Sequence, residues 1–310
     1  MDIRFYDLDF NLLRILPQYS RECGYSSCVV DVQLNGQGSF EVVFNDDILV
    51  RMFKSITEPM LTLWNGIWGY IPSFSFKDNE KRIIGTTLNG IAKRVVVQPC
   101  EYSQKTVGYI ARDIVKDAIR NGSKWLQLGN EMGIDTIIDY KLETPKTMDE
   151  VLIDLIGYSD GGWRMYAENK KIVFECIKSE MISLEISENN LNAYDVEMTR
   201  NLNDVANIGY YKDESDDTWK SVGSALSGIH NSAAVLTSTT ARAARKELAL
   251  LTGKNNITPS VKSLRFGTDY GMGNIVRVRD NEIDVLKQVT EVTMAQESAY
   301  TETPTLSEVK

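Results

Sequence analysis

Acid/base catalysis needs two carboxylates in unlike surroundings, so that one stays ionised while the other keeps its proton. The 310-residue chain carries 43 acidic side chains, and three adjacent pairs stand out, Asp46-Asp47, Asp149-Glu150 and Asp216-Asp217. Each falls in a turn or at a predicted helix start, where a carboxylate is favoured for bonding local backbone N–H groups. Nothing near them in sequence would lift one pKa above its neighbour's, which argues against a glycosidase. His230 is the only histidine. A zinc hydrolase, a Ser-His-Asp triad or a Cys-His pair would each have to use it. Its surroundings, Ser227-Gly228-Ile229-His230-Asn231-Ser232, hold no HExxH and no ligand spacing, so a solvent-facing loop histidine is expected. Gly267, Gly271 and Gly273 have the composition of a phosphate loop, but they precede a predicted strand, whereas the dinucleotide fingerprint follows one and opens a helix. There is no Gly-Lys-Ser or Gly-Lys-Thr. Cys23, Cys28, Cys100 and Cys176 are scattered, and no redox CxxC or second metal-ligand pair occurs. The expectation is therefore no catalytic residue, no cofactor and no metal, and a protein whose work is assembly.

Composition bounds the rest. At 43% hydrophobic and 25% charged residues, the chain is a folded protein with room for two or three domains. A formal net charge of −9 repels phosphate, which disfavours specific nucleic-acid binding while permitting a surface along which DNA passes without adhering. The start, Met1-Asp2-Ile3-Arg4, lacks the basic-then-apolar order of an export signal. The charge-free run from Pro59 to Phe76 is broken by Asn65, Gly66, Gly69 and Pro72, so no membrane span is expected.

Residues 1–98 read as strands. Ile3-Arg4-Phe5-Tyr6 and Val29 to Leu34 alternate, Asn35-Gly36-Gln37-Gly38 turns the chain into Ser39 to Phe44, and Asn65-Gly66 suits a type I′ hairpin turn. At Cys100 the period changes. Val107, Ile110, Ala111, Ile114, Val115, Ala118 and Ile119 form a helical stripe stopped at Asn121-Gly122, and Thr147 with Glu150 is placed as a capping box for a second helix ended by Gly157. A hairpin over Asn169-Lys170 completes an α/β insert. From Leu191 alternation returns. Ser221 to Thr240 shows little pattern, Ala241, Ala244, Leu248 and Leu251 share one helix face that Gly253 would cap, and Thr301 to Lys310 reads as a loose tail.

One echo spans the chain. Asp47-Ile48-Leu49-Val50-Arg51-Met52 lines up with Asn274-Ile275-Val276-Arg277-Val278-Arg279, and Ile71-Pro72-Ser73-Phe74-Ser75-Phe76 with Val289-Thr290-Glu291-Val292-Thr293-Met294. This is the pattern of a small β-module used twice, although alternation alone aligns many unrelated amphipathic hairpins.

In order, the pieces resemble the siphovirus tail proteins related to the baseplate hub proteins of contractile tails. The segments that carry the resemblance are Phe5-Tyr6-Asp7-Leu8-Asp9-Phe10, Gln37 to Phe44, Trp68-Gly69-Tyr70-Ile71, Arg82-Ile83-Ile84-Gly85, Gly162-Trp163-Arg164-Met165, Ile172-Val173-Phe174, Asn203 to Tyr210 and Tyr270 to Val276. None is specific alone; their order covers almost the whole chain. The resemblance implies a mainly β fold with an α/β insert and two similar small β-barrels of tail-hub type. The first would occupy 1–98 and be completed by about 191–235, the insert 99–190, and the second 236–310. It further implies a homotrimer that joins a six-fold tail tube to a three-fold spike and forms part of the channel. Its partners would be the tail tube protein, central spike, tape-measure protein and baseplate proteins. The setting would be the virion tail or baseplate, or a phage-like particle, made in the bacterial host cytoplasm. Gly273-Asn274 departs from the Gly-Asp common in the family, and no lysozyme or peptidase domain is recognised, so a bare hub is expected. The acidic loop Lys212 to Asp217 and the segment Ser221 to Ala243 are the expected contacts with a neighbouring ring or spike, with Asp213, Glu214, Asp216, Asp217, His230, Gly271 and Gly273 as interface candidates. A carbohydrate-binding or cell-wall-hydrolysing tail component is the alternative, resting on Trp64, Trp68 and Trp163, if exposed, as sugar-stacking rings.

Overall fold

The computed structural model describes residues 1–18, 23–77, 80–130, 133–201, 205–251, 254–261, 263–280 and 283–309. The opening part is β1 (Ile3–Tyr6), β2 (Leu12–Leu16), β3 (Cys23–Gln33), β4 (Ser39–Asp46), helix α1 (Asp47–Ser55), β5 (Met60–Trp64), β6 (Ile67–Lys77) and β7 (Glu80–Thr87). A 3-10 turn, Leu88–Arg94, leads to β8 (Val96–Val97), β9 (Cys100–Thr106), α2 (Val107–Arg120), β10 (Leu126–Leu128), β11 (Ile137–Leu142), β12 (Lys146–Thr147), α3 (Met148–Ile156), β13 (Gly162–Glu168) and β14 (Lys171–Ile177). Then come β15 (Glu180–Ile186), β16 (Ala193–Asn201), β17 (Ile208–Lys212), β18 (Trp219–Gly223), β19 (Ala233–Val235), α4 (Ala241–Leu250), β20 (Lys254–Val261), β21 (Asn274–Asp280), β22 (Ile283–Gln296) and β23 (Tyr300–Glu308).

The predicted local signals act as expected. Asn65 and Gly66 both take left-handed φ in the β5–β6 turn, and Asn169 and Lys170 do so in the β13–β14 turn. α2 buries Val107, Ile110, Ala111, Ile114 and Val115 on one face. At the start of α3 the Glu150 carboxylate accepts hydrogen bonds from both the backbone N–H and the hydroxyl of Thr147, the reciprocal cap its spacing foretold.

Other expectations are overturned. Asp47 to Met52, expected as a strand, is the body of α1. Asp46 caps that helix by accepting from the Leu49 N–H at 2.8 Å and binds Arg14 at 2.6 Å. The residues α1 buries are Leu49 and Phe53, four apart as on a helix face, and Phe53 stacks on Phe74 at 4.9 Å and meets Phe5 edge-on. A strong cap and an aromatic socket thus outweigh the β-like run Ile48 to Val50. The supposed loose tail is β23, paired along β22 from Tyr300 to Glu308 with Leu306 fully buried. The stretch 221–240 contains most of β18, a 3-10 turn (Gly228–His230) and β19. Trp64 and Trp163 are fully buried, which removes those two rings from sugar stacking, and Trp68 is half-buried, packed against Tyr6 and Phe10. The predicted cap at Gly253 lies outside the described residues.

The chain divides into two compact units, residues 1–196 with 258–310, and residues 197–257. Among the described residues, thirteen strands form one sheet whose main path is β16-β20-β23-β22-β3-β4-β7-β6-β5-β1-β2, with β21 beside β22 and β15 beside β21. The path has open ends and closes no barrel among these residues. Its seam is β22 against β3, antiparallel, with Glu291 opposite Gln33 and Gln296 opposite Cys28. On the two sides of the seam the pairing order is the same. β3-β4-β7-β6-β5 on one side matches β16-β20-β23-β22-β21 on the other, each ending in a three-strand antiparallel meander. The next strand differs in direction, since β1 runs antiparallel to β5 and β15 parallel to β21.

The insert packs on the opening strands through one continuous core that joins Leu61, Tyr70 and Leu88 to Ile110, Leu152 and Trp163. The β3–β4 turn is gripped at the same place. Leu34 O accepts from Trp163 N at 3.0 Å while Leu34 N donates to Thr290 O at 2.9 Å. Asn35 accepts from the Trp163 indole and donates to Ile153 O, each at 3.0 Å. Buried Asn89 donates to Gly36 O and Trp163 O and accepts from Met165 N.

Candidate interface

The residue 197–257 unit is a three-stranded sheet, β18-β17-β19, with α4 on one face. That face is cut small: a Cβ on Gly209 would meet Leu236 Cδ1 at 2.4 Å, and Tyr211, Val222, Leu236, Ala244 and Leu248 form the core. Alternation then sends Tyr210, Trp219 and Val235 to the opposite, exposed face.

Four of the sequence-predicted residues sit together in the β17–β18 turn. Asp213 accepts from the Ser215 N–H and hydroxyl and from Lys220 at 2.9 Å. Asp216 accepts from the Thr218 N–H and hydroxyl and shares Lys220 at 2.8 Å. Asp217 adopts φ +57° and pairs with Lys212 at 2.6 Å, while Glu214 takes the Thr239 hydroxyl at 2.9 Å. The turn is thus ordered by its own carboxylates, the local bonding that makes Asp a turn residue. His230 ends the 3-10 turn of the β18–β19 connection. Gly271 and Gly273 belong to the turn before β21 in the other unit. Gly271 N–H donates to Asn274 Oδ1 at 2.7 Å. Gly273 has φ +80° and lies 3.0 Å, measured from a built Cβ, from Ile177 Cγ2. The remaining carboxylate pairs serve as helix caps: Asp46 for α1, Glu150 for α3. Among the described residues no group of three or more His, Cys, Asp or Glu is placed to hold a metal ion.

The Ser215 hydroxyl first, then Lys220, holds the Asp213 carboxyl below its ordinary value of 3.8; Lys220 first, then Thr218, lowers Asp216. A depressed folded pKa adds stability that is complete above the ordinary carboxylate value and is lost as pH falls through the folded one. The Asp216 side chain is about half exposed and that of Asp213 largely covered, so solvent screens the pair in part and the effect is local to the turn. Amide resonances of Ser215 and Thr218, followed by NMR, are expected to hold their folded positions at pH 4 and move only below 3.8. A midpoint at or above that value would show the bonds do not persist in solution.

No family model and no curated relative matches the chain. Solved structures do. The tail protein from Neisseria meningitidis MC58 superposes with a TM-score of 0.61 at 13% identity, over 99% of this chain and 96% of that one. The 43 kDa tail protein of prophage MuSo2 from Shewanella oneidensis gives 0.58 at 14% identity, over 99% and 98%. Prophage tail protein gp18 from Listeria monocytogenes EGD-e gives 0.58 at 15% identity, over 100% and 95%. The chain has the fold of phage tail proteins.

Within this tail-protein fold, two features escaped the sequence reading. One is the exposed Tyr210, Trp219 and Val235 face; its signal was the pair Gly209 and Gly223, which mark where the opposite face is closely packed. The other is a cleft of about 300 Å³ lined by Gln33, Asn35, Asp160, Gln288, Thr290 and Glu291, residues brought together where the β22–β3 seam meets the α3–β13 connection. Gln288 floors it, donating to Asp160 O at 2.7 Å and to Ser179 Oγ.

Proposed function

We propose that this protein is a structural hub of a phage tail or phage-like contractile particle. Three copies join a six-fold tail tube to a three-fold spike and line part of the central channel. The observation that carries this reading is the repeated pairing order, β3-β4-β7-β6-β5 and β16-β20-β23-β22-β21, within one sheet. Two like modules per chain give a trimer six similar units, which is what matching three-fold to six-fold symmetry requires. In this reading the modules are of barrel type. The sequence assigns 1–98, completed by about 191–235, to the first, 99–190 to the insert and 236–310 to the second; the pairing of β16 with β20 supports counting β16 with the second module instead. Among the described residues β2 and β15 are paired on one side only, and such open sheet edges support ring formation. β2 exposes Leu12, Leu13 and Ile15 and β15 exposes Met181, and apolar strand edges are normally covered. A heterologous contact that closes into a ring leaves neither edge free. With −9 on each chain, an acidic channel wall would let a polyanion slide. The tube protein, spike, tape-measure protein and baseplate proteins are the partners, and the tail or baseplate is the location.

Mass measurement of the purified chain, with and without tube protein, tests this. A trimer is expected, and placing charge on the apolar β2 edge (Leu13→Glu with Ile15→Glu) should return it to monomer. A protein that stays monomeric at high concentration and in the presence of tube protein would sink the hub reading.

A further inference from the structure

The outer face of the β18-β17-β19 sheet is apolar and uncovered. Trp219 is 60% exposed, Tyr210 43% and Val235 75%. Register places them together: Tyr210 stands opposite Ser221 on one side and Val235 on the other, and Trp219 stands opposite Lys212, diagonal to Tyr210 at roughly 7–8 Å. Both ends of this face have a distinct character. At the Lys212 end lies the turn 213–218, where the stretch 212–220 holds four carboxylates against two lysines. At the Ile208 end, strands β18 and β19 are joined by a connection that exposes Leu226 at 54% and Ile229 at 98%. Exposed apolar clusters of this kind, rimmed by charge, mark contact surfaces.

We propose that this face is the docking site for an apolar segment of a different protein that carries lysine or arginine at one end. Its aliphatic side chains lie across Val235, Tyr210 and Trp219, its basic end reaches the Asp213–Asp217 turn, and its apolar end meets Leu226 and Ile229. A five-residue strand is about 17 Å long, so an extended occupant contributes roughly five residues. Charge complementarity selects it. Lys212 and Lys220 offset only part of the acidic turn, which leaves net negative charge for an incoming cation. A second copy fits worse, because its corresponding face offers only Lys212, already held by Asp217. An anionic lipid surface or nucleic acid would meet like charge.

This surface does not depend on ring formation, so its test and that of the hub reading can fail separately. The probe is a fluorescently labelled twelve-residue peptide with alternating leucines followed by three lysines, titrated with the full chain and read by anisotropy. A control peptide has glutamates in place of the lysines. We expect the basic peptide to bind at least tenfold tighter than the acidic one. Trp219→Ala should weaken it at least tenfold, the double change Asp216→Asn with Asp217→Asn should weaken it several-fold, and added salt should weaken the wild type more than the double variant. Circular dichroism checks that the variants keep their fold, and Tyr210→Ser supplies a second removal of the same surface should Trp219→Ala unfold. The proposal is overturned if both peptides bind alike or neither binds, if loss of Trp219 and of Tyr210 changes nothing, if those changes abolish self-association instead, or if a soluble peptidoglycan fragment competes better than unlabelled peptide.

Discussion

Asn89→Ala is expected to lower unfolding stability by about 3–5 kcal/mol. Asn89 is buried and its amide bridges three backbone groups. It donates to Gly36 O at 2.7 Å and to Trp163 O at 3.3 Å, and accepts from Met165 N at 2.7 Å. Alanine removes one partner from each bond and leaves two carbonyls and one N–H buried, and an unpaired buried group costs about 1–3 kcal/mol. Isosteric Asn89→Asp keeps the acceptor for Met165 but turns a donor toward two carbonyls into a charge, so it should be no better. Chemical denaturation followed by circular dichroism measures this. A shift below about 1 kcal/mol for alanine would mean that the β3–β4 turn is not held by this amide.

The second large effect is steric. Gly162 begins β13, and a Cβ built on it would lie 2.1 Å from Leu34 O and 2.4 Å from Leu34 Cδ1. The first of these atoms is backbone and is itself the acceptor for Trp163 N at 3.0 Å. The clash cannot be relieved by a rotamer change, and separating the two backbones breaks that bond and loosens the Trp163 indole from Asn35. Gly162→Ala is therefore expected to cost about 2–4 kcal/mol, combining overpacking with a lost buried hydrogen bond. A thermal midpoint lower by several degrees, with faster exchange of the Trp163 indole proton, is the expected result. An unchanged midpoint would show that insert and sheet are not in this close contact.

Both predictions fall on the β3–β4 turn, where the insert meets the seam between the two strand sets. Leu34 N bonds Thr290 O while Leu34 O bonds Trp163 N, so one residue ties β22, β3 and β13 together. In the hub reading, this is the point through which a load on the insert reaches both modules. The docking face of the 197–257 unit has no part in it.

Much of the local architecture was legible in the residues themselves. The α2 stripe, the Thr147–Glu150 cap, and the Asn65-Gly66 and Asn169-Lys170 turns each depend on side chains within a few positions of one another, so spacing alone determines them. The acidic turn was visible for the same reason, since Asp213 and Asp216 bond residues two positions away. Tertiary structure decided the rest. α1 is a helix because Phe53 finds Phe5 and Phe74 as well as nearby Phe44, and Phe5 and Phe74 lie outside any local window around Asp47. β23 is a strand because β22 lies beside it. The union of the two strand sets in one sheet depends on β22 meeting β3 across more than 250 residues of sequence, and the echo found by alternation registered β6 with β22 but put a helix opposite β21. Trp64 and Trp219 show the same division. Both stand on strands, and the packing of Gly209 against Leu236 on the far side of the sheet leaves Trp219 outside while Trp64 is enclosed. Local bonding fixes secondary structure cheaply in entropy, whereas pairing and exposure are set by loop closure over long separations, which the order of residues does not display.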